Sequence, residues 1–265
     1  VYDLMIYGNV LPNNHPNLKI IVGDVRDIIK LEKSMKNQDV IIHLACISND
    51  PSFELNPQLG YEINFKYFEP LIISAKKSGI KKFIYASSSS VYGVKDIKEV
   101  SEEESLAPLT DYSKFKVKCE NVLLSYTDSN FVGAILRPAT VCGYSPRQRL
   151  DLVVNILTNL AYHKNEITIF GGKQLRPNIH IDDMVSAYIC LINSDSGKIK
   201  NQIFNVGFEN QSVEDLALNV KKNISGKVKL LYKKTDDNRS YHISSKKIFK
   251  VLGFRPKKNI DQAIK

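Results

Sequence analysis

At 265 residues, 43% hydrophobic and 25% charged, the chain has the make-up of an ordinary globular protein that buries a sizeable core in one large or two small domains. Its longest apolar stretches, such as Val40 to Ile47 broken by His43, fall short of the roughly 18 residues of a membrane span, so no membrane partner is expected. Lys and Arg number 37 against 28 Asp and Glu, a formal charge of +9, but the lysines are dispersed and no nucleic-acid-binding motif accompanies them; solvated faces, and no nucleic-acid partner, are expected.

Short β-branched runs alternate with longer amphipathic stretches, which predicts a parallel sheet covered by helices. In chain order, Lys19 to Val22 reads as a strand ending at Gly23-Asp24, Ile28 to Met35 as a helix, and Asp39 to Ala45 as a buried strand because its apolar run does not alternate. Pro57 opens a long helix to about Ser78. Lys82 to Ser87 is a strand, Tyr112 to Tyr126 a helix and Phe131 to Leu136 a further strand. Beyond Gly143 the pattern loosens into an Arg-containing loop (Ser145 to Leu150), a helix from about Asp151 to Tyr162, a strand at Ile167 to Phe170 and the Gly171-Gly172 turn. A strand at Asn178 to Ile181, a helix at Asp182 to Ile192 and a strand at Gln202 to Val206 restore α/β spacing, and the lysine-rich remainder is expected to form a small α/β lobe.

The four cysteines are scattered without C-x-x-C spacing or paired histidines, which gives neither a disulfide frame nor a zinc site and fits a reducing cytoplasm. The sequence opens at Val1 rather than Met, with no signal-peptide layout, and reads as part of a longer chain.

Tyr112 and Lys116 stand at i and i+4 on a predicted helix, so their side chains share a face. A neighbouring ammonium favours the phenolate, and bringing a tyrosine from about pH 10 to near 7 takes about 4 kcal/mol of differential interaction. Taken alone, the pair reads more simply as a solvated surface contact. The segment Phe83-Ile84-Tyr85-Ala86-Ser87-Ser88-Ser89-Ser90-Val91-Tyr92-Gly93 changes the balance, because an apolar strand runs into consecutive hydroxyls at the sheet edge where ligands bind.

Together with Pro108-Leu109-Thr110-Asp111-Tyr112-Ser113-Lys114-Phe115-Lys116, Leu136-Arg137-Pro138, Phe170-Gly171-Gly172, Arg176-Pro177-Asn178-Ile179-His180-Ile181-Asp182-Asp183 and Phe204-Asn205-Val206-Gly207, this stretch resembles the extended short-chain dehydrogenase/reductase superfamily of NAD-dependent sugar-nucleotide epimerases and dehydratases. The resemblance implies a Rossmann-like doubly wound parallel sheet, truncated at its N-terminus, with a smaller α/β substrate-binding lobe. It implies a cofactor domain over residues 1–143, joined by roughly 178–207, and a substrate lobe over 144–177 and 208–265. The glycine-rich turn of this fold is expected before Val1 and is absent from this sequence.

Position by position, the resemblance makes Tyr112 the acid/base, Lys116 the residue that holds the nicotinamide ribose and lowers the tyrosine pKa, and Ser88 the hydroxyl that bonds the sugar oxygen being oxidised. Asp3 falls where the family places an acid for the adenosine ribose, and no Lys or Arg stands between it and Lys19 to answer a 2′-phosphate, which favours NAD over NADP. Asp24 and Val25 match the adenine-contacting pair, and Leu44, Ala45 and Asn64 match further cofactor contacts; Asp3 and Asp24 read equally simply as turn residues. Arg176 and Arg239 match positions that reach a substrate diphosphate, a group suited to arginine's paired donors. Thr140 stands where relatives place an Asn against the substrate. Arg147 and Arg149 are assigned to phosphate or sugar contacts, with plain surface arginines as the alternative.

His180 with Asp182 and Asp183 reads as a strand-to-helix junction in which an Asp caps the helix and His packs beneath, rather than as a metal site. Ser101 to Glu104 reads as a capped, solvated turn. In the dehydratases of the superfamily an Asp-Glu pair follows the catalytic hydroxyl; here Ser89 and Ser90 stand there, which argues against a dehydratase and leaves epimerases, dehydrogenases and ketoreductases, of which epimerisation at C4 is the reading adopted. A net dehydrogenase or ketoreductase is the competing reading, and a non-catalytic nucleotide- or RNA-binding relative a weaker third. By analogy alone, the helices at Pro57 to Ser78 and Tyr112 to Tyr126 imply a homodimer.

Overall fold

The computed structural model describes residues 1–12, 15–48, 50–95, 97, 99–235, 240 and 242–265, without the side chains of Asp50 and Pro51. The chain opens with two short parallel strands, β1 (Tyr2–Asp3) and β2 (Ile21–Val22), whose register pairs Asp3 with Val22. Gly23 follows because the Tyr2 ring lies against it; a Cβ there would sit 2.4 Å from a ring carbon. Helix α1 (Ile28–Ser34) starts where the Asp27 side chain accepts from Lys30 N at 3.0 Å, and it leads to the strand β3 (Val40–His43).

The long helix expected from Pro57 to Ser78 is interrupted. After α2 (Asp50–Leu55), α3 (Pro57–Tyr61) passes into a π-helical turn at Glu62–Lys66, and α4 (Phe68–Lys77) begins anew. The cause is Pro70: inside one continuous helix it would lack the N–H owed to the Lys66 carbonyl and clash with it, whereas in the first turn of α4 it is tolerated.

Strand β4 (Lys82–Ala86) is followed by a 3₁₀ turn at Ser89–Tyr92, then by α5 (Asp111–Tyr126), β5 (Val132–Pro138) and a strand the sequence did not reveal, β6 (Thr140–Cys142). Next come α6 (Val153–Lys164), β7 (Glu166–Phe170), β8 (Leu175–His180), α7 (Ile181–Asn193) and the short α8 (Ser196–Ile199). The chain closes with β9 (Gln202–Val206), β10 (Glu209–Ser212), α9 (Val213–Ile224), β11 (Lys229–Lys233), α10 (Lys246–Leu252) and α11 (Ile260–Ile264).

These elements form two compact units. The first comprises Val1–Ser87, Pro108–Ile135 and Ser194–Gln202. In it β3 and β4 pair in parallel, and Val132 N at the start of β5 bonds the Lys81 carbonyl at 2.8 Å, so β4 lies between β3 and β5. Its core is the apolar face of α4 (Phe68, Leu71, Ile72, Ala75) with Phe83, Ile84, Leu123 and Phe131, a helix packed on a parallel sheet; Val40, Ile41 and Ile42 of β3, expected to be fully buried, are half-buried.

The second unit comprises Ser88–Ala107, Leu136–Asn193 and Ile203–Lys265. In it β8 lies between β6, in parallel, and β10, in antiparallel, while β7 pairs with β11 in parallel. Its core joins Val154, Leu157 and Ala161 of α6 to Leu216, Ala217 and Val220 of α9, with Ile167, Ile169, Ile260 and Ile264. No described helix is long and apolar enough to cross a membrane.

Candidate active site

In the first unit, α5 begins where Thr110 and Ser113 cap each other: the Thr110 hydroxyl accepts from Ser113 N at 3.3 Å and the Ser113 hydroxyl from Thr110 N at 3.2 Å. That start places Tyr112 in the first helical turn, half-buried, and Lys116 one turn on, only 4% exposed. Lys116 Nζ donates to the carbonyl of Ala86, the last residue of β4, at 2.6 Å. The same ammonium lies 5.6 Å from the centre of the Tyr112 ring and 4.9 Å from that of Tyr85. Burial opposes its charge, but Cys46, Tyr112 and Cys119 outweigh burial and hold its pKa above the ordinary lysine value, so it is a cation at neutral pH.

One further turn along α5, Glu120 is 2% exposed and accepts the hydroxyl hydrogen bond of Ser87. The helix therefore grips two consecutive residues at the carboxyl end of β4. His43, at the end of β3, is buried among Phe68, Phe83 and Tyr85; burial, with Lys116 adding to it, lowers its pKa to about 3 and leaves the ring neutral.

The residues expected around a dinucleotide also fall at strand ends of this unit. Asp3, at the end of β1, is exposed, with its Oδ1 accepting Met5 N at 2.6 Å. Asp24 follows β2; the Arg26 guanidinium bonded to it holds its carboxyl below the usual range, and Arg26 also reaches Glu62 at 3.0 Å. Val25 is half-buried beside it. Leu44, immediately after buried His43, is 56% exposed, and Ala45 is half-buried. Asn64 lies in the π-helical turn, its amide occupied by the protein itself: Oδ1 accepts Ile47 N at 2.8 Å and Nδ2 donates to Ile47 O at 3.0 Å. An exposed carboxylate at one strand end, an open apolar side chain at another and a buried ammonium at a third suit a ribose diol, a ring face and a ribose hydroxyl in turn, so the chain fits NAD. Asn64 braces the loop after β3, a role that spacing alone did not reveal.

In the second unit, Ser88 caps the 3₁₀ turn: its Oγ accepts from Ser90 N at 3.2 Å and from the Ser90 hydroxyl at 2.9 Å. The turn ends on Tyr92, whose hydroxyl donates to Asn205 at 2.7 Å and accepts from the Arg137 guanidinium at 2.8 Å. Burial, against the pull of Arg137, pushes the Tyr92 pKa up to about 12. Gly93 closes the turn at φ 69°, where a Cβ would come within 2.1 Å of the Ala107 carbonyl; only glycine fits there. The turn at Ser101 to Glu104 is not wholly solvated as expected. Glu102 points inward to accept Asn205 N at 2.7 Å, and burial raises its pKa.

Thr140 of β6 pairs in register with Asn178 of β8, and Arg176 stands two residues before Asn178, so Thr140 and Arg176 belong to one face of that sheet. Arg176 donates to the Leu175 carbonyl at 3.1 Å. Arg147 and Arg149 lie in a loop held by Asn155 and Gln148, and Arg149 pairs with Asp151 at 2.5 Å. Arg239 lies outside the described residues. The junction at His180 differs from expectation: the imidazole, not an Asp, caps α7 by accepting Asp182 N at 3.1 Å, while Asp183 accepts the backbone N–H groups of Lys257 and Lys258 and Asp182 pairs with Lys258. A ring nitrogen bonded to the helix start leaves the two carboxylates free to tie down the C-terminal segment.

The model of the NAD dependent epimerase/dehydratase family matches residues 7–207. Human dTDP-D-glucose 4,6-dehydratase is 29% identical over 96% of this chain and 75% of its own length. UDP-glucose 4-epimerase of Lactobacillus helveticus is 24% identical over 94% of this chain and 82% of its own. UDP-glucuronic acid 4-epimerase from Bacillus cereus, solved with UDP-glucuronic acid and NAD, superposes with a TM-score of 0.85 at 27% identity, over 95% of this chain and 80% of that one. The chain belongs to the NAD dependent epimerase/dehydratase family, within the extended short-chain dehydrogenase/reductase group. It is an NAD-dependent enzyme.

Proposed function

We propose that this enzyme epimerises a nucleoside-diphosphate sugar at C4 through transient oxidation to the ketosugar. The observation that carries this reading is the polar turn after β4. Ser88 is followed by Ser89, 2% exposed, and by Ser90, whose hydroxyl bonds Ser88 itself. A 4,6-dehydratase needs an acid and a base in those two places to expel water, and neutral serine hydroxyls supply neither. The C4 epimerases among the relatives support the choice of carbon.

Bound NAD supplies a reversible acceptor for hydride. Tyr112 takes the proton of the C4 hydroxyl and returns it when the carbonyl is reduced. Lys116, buried and cationic, favours the phenolate and holds the ribose of the cofactor. Ser88 hydrogen-bonds the sugar oxygen as it passes from hydroxyl to carbonyl. Asp3, Asp24, Val25, Leu44, Ala45 and Asn64 line or brace the cofactor site. Thr140 and Arg176 hold the nucleoside diphosphate, joined by Arg147 and Arg149 from their loop; Arg239 takes the same role on the family resemblance alone. Cofactor binding is thereby assigned to residues 1–143 with roughly 178–207, and substrate binding to 144–177 and 208–265.

The half-buried aromatic cluster of Tyr61, Phe65 and Phe115, with Leu55 87% exposed nearby in sequence, supports a homodimer through these helices. Four free cysteines support a reducing, cytoplasmic setting.

The test is turnover of UDP-, GDP-, CDP- and dTDP-sugars by the full chain, following both epimer formation and NADH absorbance. Conversion of a sugar to its epimer without net NADH is expected. Accumulating NADH would replace this reading by a net oxidoreductase.

A further inference from the structure

The face of α5 that carries Tyr112 and Lys116 continues to a third member. Positions 112, 116 and 120 follow one another at i+4, and the third is a carboxyl group set in the interior, among the most costly places for one unless it is bonded. It accepts the hydroxyl hydrogen bond of Ser87, itself buried. Immediately before Ser87 in sequence, the Ala86 carbonyl accepts from Lys116. Two consecutive residues of one strand end are thus fixed to two consecutive turns of one helix. The bonds differ in kind: the first runs from a helix cation to a strand backbone, the second from a strand side chain to a helix carboxyl.

Ser87 is bonded covalently to Ser88, and a strand that has left its ladder has few other means of fixing the direction in which the next side chain departs. Strand β4 ends at Ala86, and the Ser87–Glu120 bond ties down the residue between that end and the hydroxyl that caps the 3₁₀ turn. We propose that Glu120 is a positioning residue: through Ser87 it fixes the exit of β4 and so the placement of Ser88, while its own turn of α5 holds Lys116 in register with Ala86. The proposal rests on the reading of Ser88, Tyr112 and Lys116 as catalytic. It adds a group that touches neither substrate nor cofactor and acts only through its neighbours.

The test uses the full chain and three variants, Glu120→Ala, Glu120→Gln and Ser87→Ala, with two readouts. The first is kcat and KM for the nucleotide sugar that the wild type converts. Glu120→Ala is expected to lower kcat about 10- to 100-fold with KM within about threefold, as for loss of an interaction that matters only in the transition state. Glu120→Gln, which keeps an oxygen to accept from Ser87, is expected to restore most of that loss. Ser87→Ala should match Glu120→Ala, and the double variant should be no slower than either, since both changes remove one shared bond.

The second readout is backbone hydrogen exchange of the segment 86–93, which needs no turnover. Glu120→Ala and Ser87→Ala should each raise exchange there by about tenfold or more while leaving the α6–α9 core at its wild-type rate. If Glu120→Ala does not fold, Ser87→Ala, which removes a single oxygen, carries both measurements.

Wild-type kcat in a folded Ser87→Ala variant together with unchanged exchange over 86–93 would overturn the proposal. So would single-variant losses that multiply in the double variant. A wild type that converts no nucleotide sugar sinks the proposed function instead, and the exchange measurement then decides the Glu120 anchor by itself.

Discussion

The helix face of Tyr112, Lys116 and Glu120 and the arginine loop at 145–151 are both candidate functional regions, and they are built in opposite ways. On α5 the charged groups are interior, each bonded to a neighbouring strand, with the lysine held as a cation against its own burial. In the loop the backbone is braced by Asn155 and Gln148, the arginines are half-buried, and Arg149 is answered by Asp151 two residues on. Groups that move a proton need fixed geometry, because small displacements cost large factors in rate. Groups that hold a mobile, solvated diphosphate gain mostly from charge and need less order. On the proposed function, the difference would separate where rate is set from where affinity is set.

Substitutions test that separation, and the largest effect belongs on α5. Tyr112→Phe removes the proton-transfer group and nothing from the core, so kcat should fall about 10³-fold with the melting temperature unchanged, as read by steady-state kinetics beside thermal denaturation. A folded variant that keeps kcat would break the assignment of rate to this face. Ser88→Ala should follow with a loss of about 10²-fold in kcat, since one donor to a reacting oxygen is worth that much. At the arginines the effect should move to KM. Arg176→Ala is expected to raise KM for the nucleotide sugar about tenfold with kcat nearly constant, the loss of one charge-assisted contact. Arg149→Ala should raise it less, because Asp151 already answers part of that charge. Equal effects from the two arginines would blur the distinction.

The smallest effect serves as a control outside both regions. Lys76 bonds Asp128 at 2.7 Å and, with the backbone N–H groups of Asn130 and Phe131, lowers its pKa from the ordinary 3.8 to about 2. A carboxylate depressed in the folded state contributes stability that is present above pH 3.8 and is lost as the pH falls through about 2. Lys76→Met should therefore melt slightly below the wild type above pH 3.8 and converge with it near pH 2, with kcat and KM untouched. A change in kcat would show that surface charge reaches the catalytic face.

The candidate residues Ser88, Tyr112 and Lys116 could be picked out in the sequence because their motifs are local, while the roles proposed for them rest on the family resemblance. An apolar strand running into Ser87-Ser88-Ser89-Ser90, and Tyr112 one turn before Lys116, are patterns that periodicity and spacing define. Glu120 was equally available by spacing, but an i+8 carboxylate on a helix looks like any solvated residue until its burial is known. The π-helical turn was hidden because Pro70 reads as a tolerated first-turn proline only after the break before it is seen. Strand β6, which starts two residues after Leu136-Arg137-Pro138, has no periodicity of its own and exists by pairing with distant β8. The His180 cap departs from the local pattern for a related reason: Asp is the commoner helix cap, but in this chain both Asp182 and Asp183 are engaged by the C-terminal segment around Lys258. Local chemistry can be read from neighbours in sequence, and these pairings depend on neighbours in space.

The central claim is that one carbon is oxidised and reduced again by the same bound cofactor. A nucleotide sugar carrying deuterium at C4 tests it most directly, with the product analysed by NMR after turnover by the full chain. The account predicts an epimerised sugar that keeps its deuterium at C4 with no net NADH formed. Deuterium lost from the sugar to free cofactor, or found at another carbon of a dehydrated product, would contradict it.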